Sequence, residues 1–258
     1  MATPLSFRVF EAEARVYRRT WRGSVFSSFL IPILYLLAMG VGLGTLVDAN
    51  LPDGLEGATY LQWLAPGLLV ATAMQTGAGE GSWKVMGGIK WQKTYHARLA
   101  SPIGIDGLVY GHMLWSTARV LMVSAIFAVV MTAFRVAPVL ESLLAVFPAL
   151  LVGIPMAALT TAFTVRVSEP SALPTYFRFV VIPMFLFSGT FFPISQLPDW
   201  LEPVALVTPL YHAVEMARSI TLGVDPAVAA WVSIGYLLAL TAVGVWLIFG
   251  PLREELKP

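Results

Sequence analysis

The sequence predicts an all-α integral membrane protein. Six transmembrane helices are preceded by an N-terminal cytoplasmic amphipathic interface helix, and an extracellular re-entrant helical segment lies between helices five and six. Three observations predict this. The 258 residues are 57% hydrophobic and only 12% charged, with mean hydropathy +0.76, whereas a soluble domain carries roughly 25% charged residues. Six apolar stretches, 26–47, 60–82, 107–134, 139–165, 174–194 and 229–250, each supply about the 20 residues that cross a bilayer core. Lys and Arg are also segregated. Thirteen of the sixteen, from Arg8 to Arg22, Lys84 to Arg98, then Arg166, Arg178, Arg253 and Lys257, fall on one side. Arg135 and Arg218 fall on the other, with Arg119 inside the third span. Basic loops stay in the cytoplasm, which places both termini there. Asp48, Asp53, Glu56, Asp199, Glu202 and Asp225 then lie outside.

Residues 5–22, LSFRVFEAEARVYRRTWR, come first. Phe7, Phe10, Ala14, Tyr17 and Trp21 step by three and four and share one helix face, with Arg8, Arg15, Arg18, Arg19 and Arg22 on its flank. The pattern predicts a helix lying on the cytoplasmic leaflet; a basic topology signal is the plainer reading. The first span is too long for a signal-peptide core, and five more follow it. One domain therefore covers 1–258: interface helix 1–24, six-helix membrane domain 25–250, cytoplasmic tail 251–258.

The second span ends in GAGEGSW, Gly77–Trp83. Small residues there let helices approach closely. The run lacks the Gly-Lys-Ser/Thr ending of a phosphate loop, and no segment of the chain matches GxxxxGK[ST]. Nucleotide hydrolysis through such a loop is excluded. Glu80 closes this span and Arg119 lies on the cytoplasmic half of the third. An unpaired charge at a helix centre costs about 2.5–3.5 kcal/mol, which favours an intramembrane ion pair, leaves room for a pair lining a translocation path, and allows snorkelling.

Between these spans runs KWQKTYHARLASP, Lys90–Pro102. As one helix it would place Trp91, Tyr95 and Leu99 on a ridge, with Lys90 and Lys93 on another side. It could rest on lipid or dock into another protein, and amphipathicity alone does not decide. Spans four and five carry Pro148, Pro155 and Pro183, which kink membrane helices as hinges or as fixed bends. After them, Pro193, Pro198, Pro203 and Pro209 fall within 17 residues. That segment cannot form one straight helix. Two broken helices dipping into the outer leaflet fit better, with Trp200 and Tyr211 suited to the interface.

Chemistry is sparse. There is no cysteine, and His96, His112 and His212 have no metal-ligand spacing. No GxSxG or cluster of intramembrane acids points to an enzyme or a proton-driven carrier. Net charge is +1, which gives no reason to expect nucleic acid.

Three runs carry a resemblance: YLQWLAPGLLVATAMQTG (Tyr60–Gly77), WQKTYHARLASP (Trp91–Pro102) and LFSGTFFPISQLPDWLEPVALVTPLYHAVEMAR (Leu186–Arg218). With the order of features, they resemble the type 2 ABC transporter permeases, and within them the nodulation protein J group, over nearly the whole chain. The resemblance implies a single type 2 ABC transmembrane domain in the bacterial cytoplasmic membrane. It would pair with a second permease chain, identical or a paralogue, above two copies of an ATP-binding subunit. That subunit, not this chain, would hold ATP and Mg. Lys90, Trp91, Lys93, Tyr95 and Arg98 would form the helix coupled to the ATPase. Phe7, Phe10, Arg15, Tyr17 and Arg18 would belong to the interface helix, in contact with the same subunit and with lipid. Pro193, Pro198, Trp200, Pro209, Tyr211 and Glu215 would belong to the re-entrant segment capping the path. The implied function is ATP-driven export of an amphiphilic or hydrophobic substrate, such as a lipid-linked glycan, lipooligosaccharide or drug. An ATP-independent carrier or membrane-embedded enzyme is the alternative. The spans offer few polar side chains to grip a free sugar.

Overall fold

The computed structural model describes residues 4–50 and 54–255; Asp53 and Lys257, counted above among the charges, lie outside them. The described residues are almost wholly helical. The elements are α1 (Leu5–Asn50), α2 (Tyr60–Glu80), α3 (Trp83–Met86), α4 (Thr94–Leu99), α5 (Gly104–Ala133) and α6 (Val139–Arg166). After these come α7 (Ala172–Phe187), α8 (Glu202–Val207), α9 (Pro209–Leu222) and α10 (Ala230–Glu255). A wide π turn, Gly87–Trp91, extends α3.

Four of these are long and apolar enough to cross a membrane: α1, α5, α6 and α10. Two expected spans are of a different kind. In α2, fourteen of 21 residues are buried, including Trp63, Leu64, Leu68, Leu69 and Met74. Protein covers most of this helix, and Gln62, Thr72, Gln75 and Thr76 fall on the remaining side, which is not buried. The α7 helix has 16 residues, about 24 Å at 1.5 Å per residue, short of a core of about 30 Å.

The start of α2 is specified locally. Thr59 and Gln62 form a reciprocal capping box, and the Asp48 carboxylate accepts the Tyr60 N–H at 2.8 Å. The strongest contacts of α2 are with α6. Ala73, Gly77 and Gly81 face Gly153 and Ala157, and a Cβ on Gly77 would overlap the Gly153 carbonyl oxygen. Small residues at this crossing let two backbones touch, which is how helices associate where lipid removes the hydrophobic driving force. Thr164 donates to the Gly81 carbonyl at 2.8 Å and fixes the register. One packed core surrounds α2, drawing on α5, α6 and α9. A second gathers Val9, Val85, Ile89, Tyr95, Leu108 and Ile248 at the end where the basic residues concentrate.

The N-terminal helix departs from expectation. No break separates an interface helix from span one; α1 is one helix of 46 residues. The junction RGSVFSS holds no proline, and the lone Gly23 does not interrupt the helix. The amphipathic face finds protein to pack on. Leu5 lies against Gly107, Val9 against Gly111 and Tyr17 against Trp115, so α1 runs parallel to α5. Pro32 sits within α1, and a π-helical stretch, Leu36–Leu43, follows it. At the other terminus α10 continues through Pro251 to Glu255, so the expected tail begins as helix.

Candidate functional site

The segment joining α2 to α5 is not the single helix expected over Lys90–Pro102. Lys93 takes a left-handed conformation, φ 53°, between the π turn and α4. That reversal separates Trp91 from Tyr95, so no common ridge exists. Trp91 points outward, 59% exposed, and stacks on exposed Trp83 with centroids 6.4 Å apart. Lys93 is exposed and Lys90 partly so. Tyr95 turns inward to 5% exposure, against Gly88 and the Leu108, His112 and Ile248 side chains. Burial pushes its phenol above the usual range. Tyr95 is a core residue, and Trp91 with Trp83 makes the projecting surface.

Arg98, at the end of α4, donates to Glu13 Oε1 at 2.7 Å. Glu13 Oε2 meets Lys84 Nζ at 2.8 Å, and Lys84 Nζ also reaches Glu80 Oε2 at 3.2 Å. Glu80 Oε1 accepts Arg119 Nε at 3.1 Å, and Glu80 Oε2 accepts the Trp115 indole N–H at 3.0 Å. Arg119 then donates to Ser24 at 2.9 Å and lies over the Tyr17 ring. The charges alternate, Arg98, Glu13, Lys84, Glu80, Arg119, and tie α1, α2, α5 and the intervening segment together. Glu80 and Arg119 are thus in direct contact. They also belong to a larger set. Glu13 had no assigned role in the sequence, although its i+4 step from Val9 and i−4 step to Tyr17 put it on the buried face. The network walls a cleft of about 520 Å³ that also includes Thr20, Gln92 and Thr94.

The remaining interface-helix residues divide by face. Phe10 packs on Trp115 at 5.8 Å and Phe7 stacks on Phe10 at 5.5 Å, while Arg15 and Arg18 are exposed. Arg15 reaches Glu11 at 3.7 Å, a solvated i,i+4 pair of little weight.

At the opposite end the proline-rich segment breaks as predicted. A short 3₁₀ turn follows Pro193, α8 follows Pro198, and the chain breaks at Thr208 before α9. Thr208 caps α9, accepting the Tyr211 N–H at 3.3 Å, with Pro209 in the first turn, where its missing N–H costs nothing. Trp200 is 73% exposed, but Tyr211, expected at the interface, is 3% exposed. It faces the core because α9 packs on α2 and α6. Glu215 accepts the Ala227 N–H at 3.1 Å and so ties α9 to the connection that leads into α10. Arg218, which charge counting assigns to the non-cytoplasmic side, is buried within the protein at this end. Its guanidinium lies 3.4 Å from the centre of the Trp63 ring and donates to the Trp63 carbonyl at 3.2 Å and the Gly189 carbonyl at 2.7 Å. A planar cation that stacks and bonds in a fork can be buried this way. One-dimensional hydropathy has no signal for it.

Among the described residues no group of three His, Asp or Glu side chains could hold a metal. His112 meets Thr161 at 3.1 Å and His212 meets Ser233 at 3.0 Å, each an ordinary buried pair.

The chain is similar to known proteins over most of its length. Nodulation protein J of Rhizobium meliloti (strain 1021) is 26% identical over 242 residues, covering 94% of this chain and 90% of that protein. Its counterpart in Rhizobium leguminosarum bv. trifolii is 28% identical over 248 residues, covering 93% and 92%. The inner membrane transport permease YadH of Escherichia coli (strain K12) is 22% identical over 221 residues, covering 84% and 82%. The family model described as ABC-2 type transporter matches residues 7–222. The chain therefore belongs to the ABC-2 type transporter family, as a multi-pass membrane component without a phosphate loop of its own.

Proposed function

We propose that this chain is the membrane permease of an ATP-driven exporter in the bacterial cytoplasmic membrane. Both termini and the basic end face the cytoplasm. A second permease chain completes the path, and two copies of a separate ATP-binding subunit supply ATP, Mg and energy. The cargo is amphiphilic or hydrophobic.

The observation that carries this reading is the projecting Trp83–Trp91 stack and its backing. Two exposed tryptophans beside Lys93 form a rigid aromatic knob, the kind of anchor that fills a pocket on a protein partner. Behind the knob, α4 is pinned through Arg98 to Glu13 of α1. Lys84, next to Trp83, is pinned to Glu13 and to Glu80 of α2, and Glu80 to Arg119 of α5. A displacement applied at the knob therefore reaches three long helices through short charged contacts. In this reading, closure of the ATPase pair pushes the knob, and the helix ends move together. At the far end, α8 and α9 form the re-entrant cap. The Tyr236 hydroxyl bonds the Val207 carbonyl from within α10, which supports placing the α8–α9 break below the helix ends.

The test is to extract the tagged chain gently from native membranes and identify what accompanies it in fixed ratio, with Trp91→Ala in parallel. The expected result is a soluble ATP-binding protein whose binding or stimulated hydrolysis is lost in the variant. Transport by the purified chain alone, with no ATPase under any extraction condition, would overturn the reading and reopen the carrier alternative.

A further inference from the structure

One strongly charged surface takes no part in the network. At 3.6 residues per turn, Arg15, Arg18, Arg19 and Arg22 of α1 fall within an arc of about 100°. All four are exposed. Arg15 shares its charge with Glu11 at 3.7 Å. Among the described residues no carboxylate pairs with Arg18, Arg19 or Arg22. Lys84, Arg98 and Arg119, at the same end, are each matched by Glu13 or Glu80. The unneutralised charge of this end therefore includes one compact stripe.

The unbroken helix decides what the stripe faces. Glu13, Tyr17 and Ser24 occupy the opposite side of α1, against α5 and the cytoplasmic segment. The arginine side runs on in regular helix into Phe26, Phe29 and Leu30, all exposed, Phe26 by 67%. These open the apolar run that crosses the bilayer, so this side of the helix meets lipid. Trp21 is exposed, with Arg22 over its ring at 5.9 Å, and marks the interface. At 1.5 Å per residue, Arg22, Arg19 and Arg18 follow Phe26 at about 6, 10 and 12 Å toward the basic end. They span the head-group layer, about 5–8 Å thick beside the hydrocarbon core, and its outer edge. Charge complementarity then fixes the chemistry. A guanidinium binds phosphate oxygens through paired N–H donors. A zwitterionic head brings a cation of its own beside the phosphate, and an anionic head brings none.

We propose that Arg18, Arg19 and Arg22 form a binding site for the phosphate of anionic phospholipid head groups in the leaflet at the basic end. The bound lipid braces from outside the same helix that Arg98 and Arg119 hold from within. This rests on α1 crossing the membrane and not on the exporter reading, so either can fail alone.

The chain has no cysteine, so Phe26→Cys takes a single fluorescent label beside the stripe. The full chain, with whatever ATPase accompanies it, is placed in vesicles of mixed phosphatidylcholine and phosphatidylglycerol. A trace of one or the other lipid carries a nitroxide quencher near its head. Nitroxide phosphatidylglycerol should quench as if enriched about threefold or more over nitroxide phosphatidylcholine. Arg18→Gln, Arg19→Gln and Arg22→Gln together should bring that ratio near one, and the three Lys replacements should keep most of it. Arg253→Gln, exposed at the same end on α10, should leave it unchanged. Raising salt from about 0.1 to about 1 M shortens the screening length from about 10 to about 3 Å and should lower the ratio for the unaltered stripe, a test that needs no charge variant to fold. Equal quenching by the two lipids, a ratio indifferent to salt, or one that survives the triple Gln change would overturn the proposal. Displacement of the lipid by soluble glycerol phosphate would also overturn it, by showing a site for free phosphate. So would loss of ATPase co-purification in the triple Gln variant with lipid enrichment intact, which would give the stripe to a protein partner.

Discussion

The Glu13–Arg98 bond makes the most demanding prediction, because it joins α1 to the segment beneath the knob and can be dissected. The ions are 2.7 Å apart, with side chains 10% and 20% exposed. At that distance and an effective dielectric constant near 20, the gross attraction is about 6 kcal/mol. Desolvation cancels much of it, and removing one partner of a buried pair costs about 3–5 kcal/mol when the other is stranded. The network makes the two single losses unequal. Glu13→Gln strands Arg98, while Lys84 retains Glu80; it should cost about 2–3 kcal/mol. Arg98→Gln leaves Glu13 paired with Lys84 at 2.8 Å, and should cost about 1–2 kcal/mol. The double variant should lose no more than Glu13→Gln alone, a coupling of about 1–2 kcal/mol. Each value is read from the midpoint and slope of unfolding by denaturing detergent in mixed micelles. Losses that add within about 0.5 kcal/mol, or an Arg98→Gln loss exceeding that of Glu13→Gln, would refute the alternating network.

Other predictions test the remaining assignments. Trp91→Ala should shift stability by less than about 0.5 kcal/mol and sharply reduce ATPase coupling, while Tyr95→Ala should cost about 3–5 kcal/mol of unfolding free energy. For Glu80→Gln and Arg119→Gln, each single variant should lower assembled protein in detergent more than the double does, with a coupling of about 1–3 kcal/mol. Gly77→Leu should prevent α2 and α6 from closing, read as loss of monodisperse protein on size exclusion. Gly79→Ala, two residues on with open space around it, should be neutral or stabilise by up to about 1 kcal/mol. Arg218→Lys should cost about 2–3 kcal/mol in the same unfolding assay, since an ammonium reproduces neither the ring stack nor the fork.

What the sequence reveals follows the physics each pattern carries. Apolar runs and basic loops report transfer to lipid, so the long helices and the basic end were legible. Glycines at Gly77 and Gly81 announced close packing because only small side chains allow it. The proline series announced the broken helices before α10 because proline acts locally. The environments of Glu13 and Arg218 were not legible, because residues far away in the chain make them. Glu13 sits beside Lys84 and Arg98; Arg218 sits on Trp63, 155 residues away. Tyr95 was assigned to a surface ridge on the assumption of one helix, and a single left-handed residue, Lys93, reverses its direction. Lysine gives no warning of that conformation, as glycine or asparagine would.

The uninterrupted α1 changes what the N-terminal helix can do. A helix lying on the leaflet can anchor a protein while remaining hinged to the first span, so motion at one is lost to the other. Here regular helix runs without a break from Leu5 up to Pro32, and Glu13 and Ser24 occupy the same rod. Arg98 holds that rod from the cytoplasmic segment and Arg119 holds it from α5. A shift of α4 that carries Arg98 must then move Glu13, and with it Ser24, Ser27 and Ser28, against Thr72 and Gln75. The first place along α1 where the regular helix relaxes is Pro32 and the π-helical stretch beyond it, where the i−4 ladder is already broken or widened and bending is cheapest. That places the natural hinge at Pro32 and beyond, not between the interface helix and span one. The segment of α1 held by Arg98 and the segment held by Arg119 are then one rod, and both lie on the same side of Pro32.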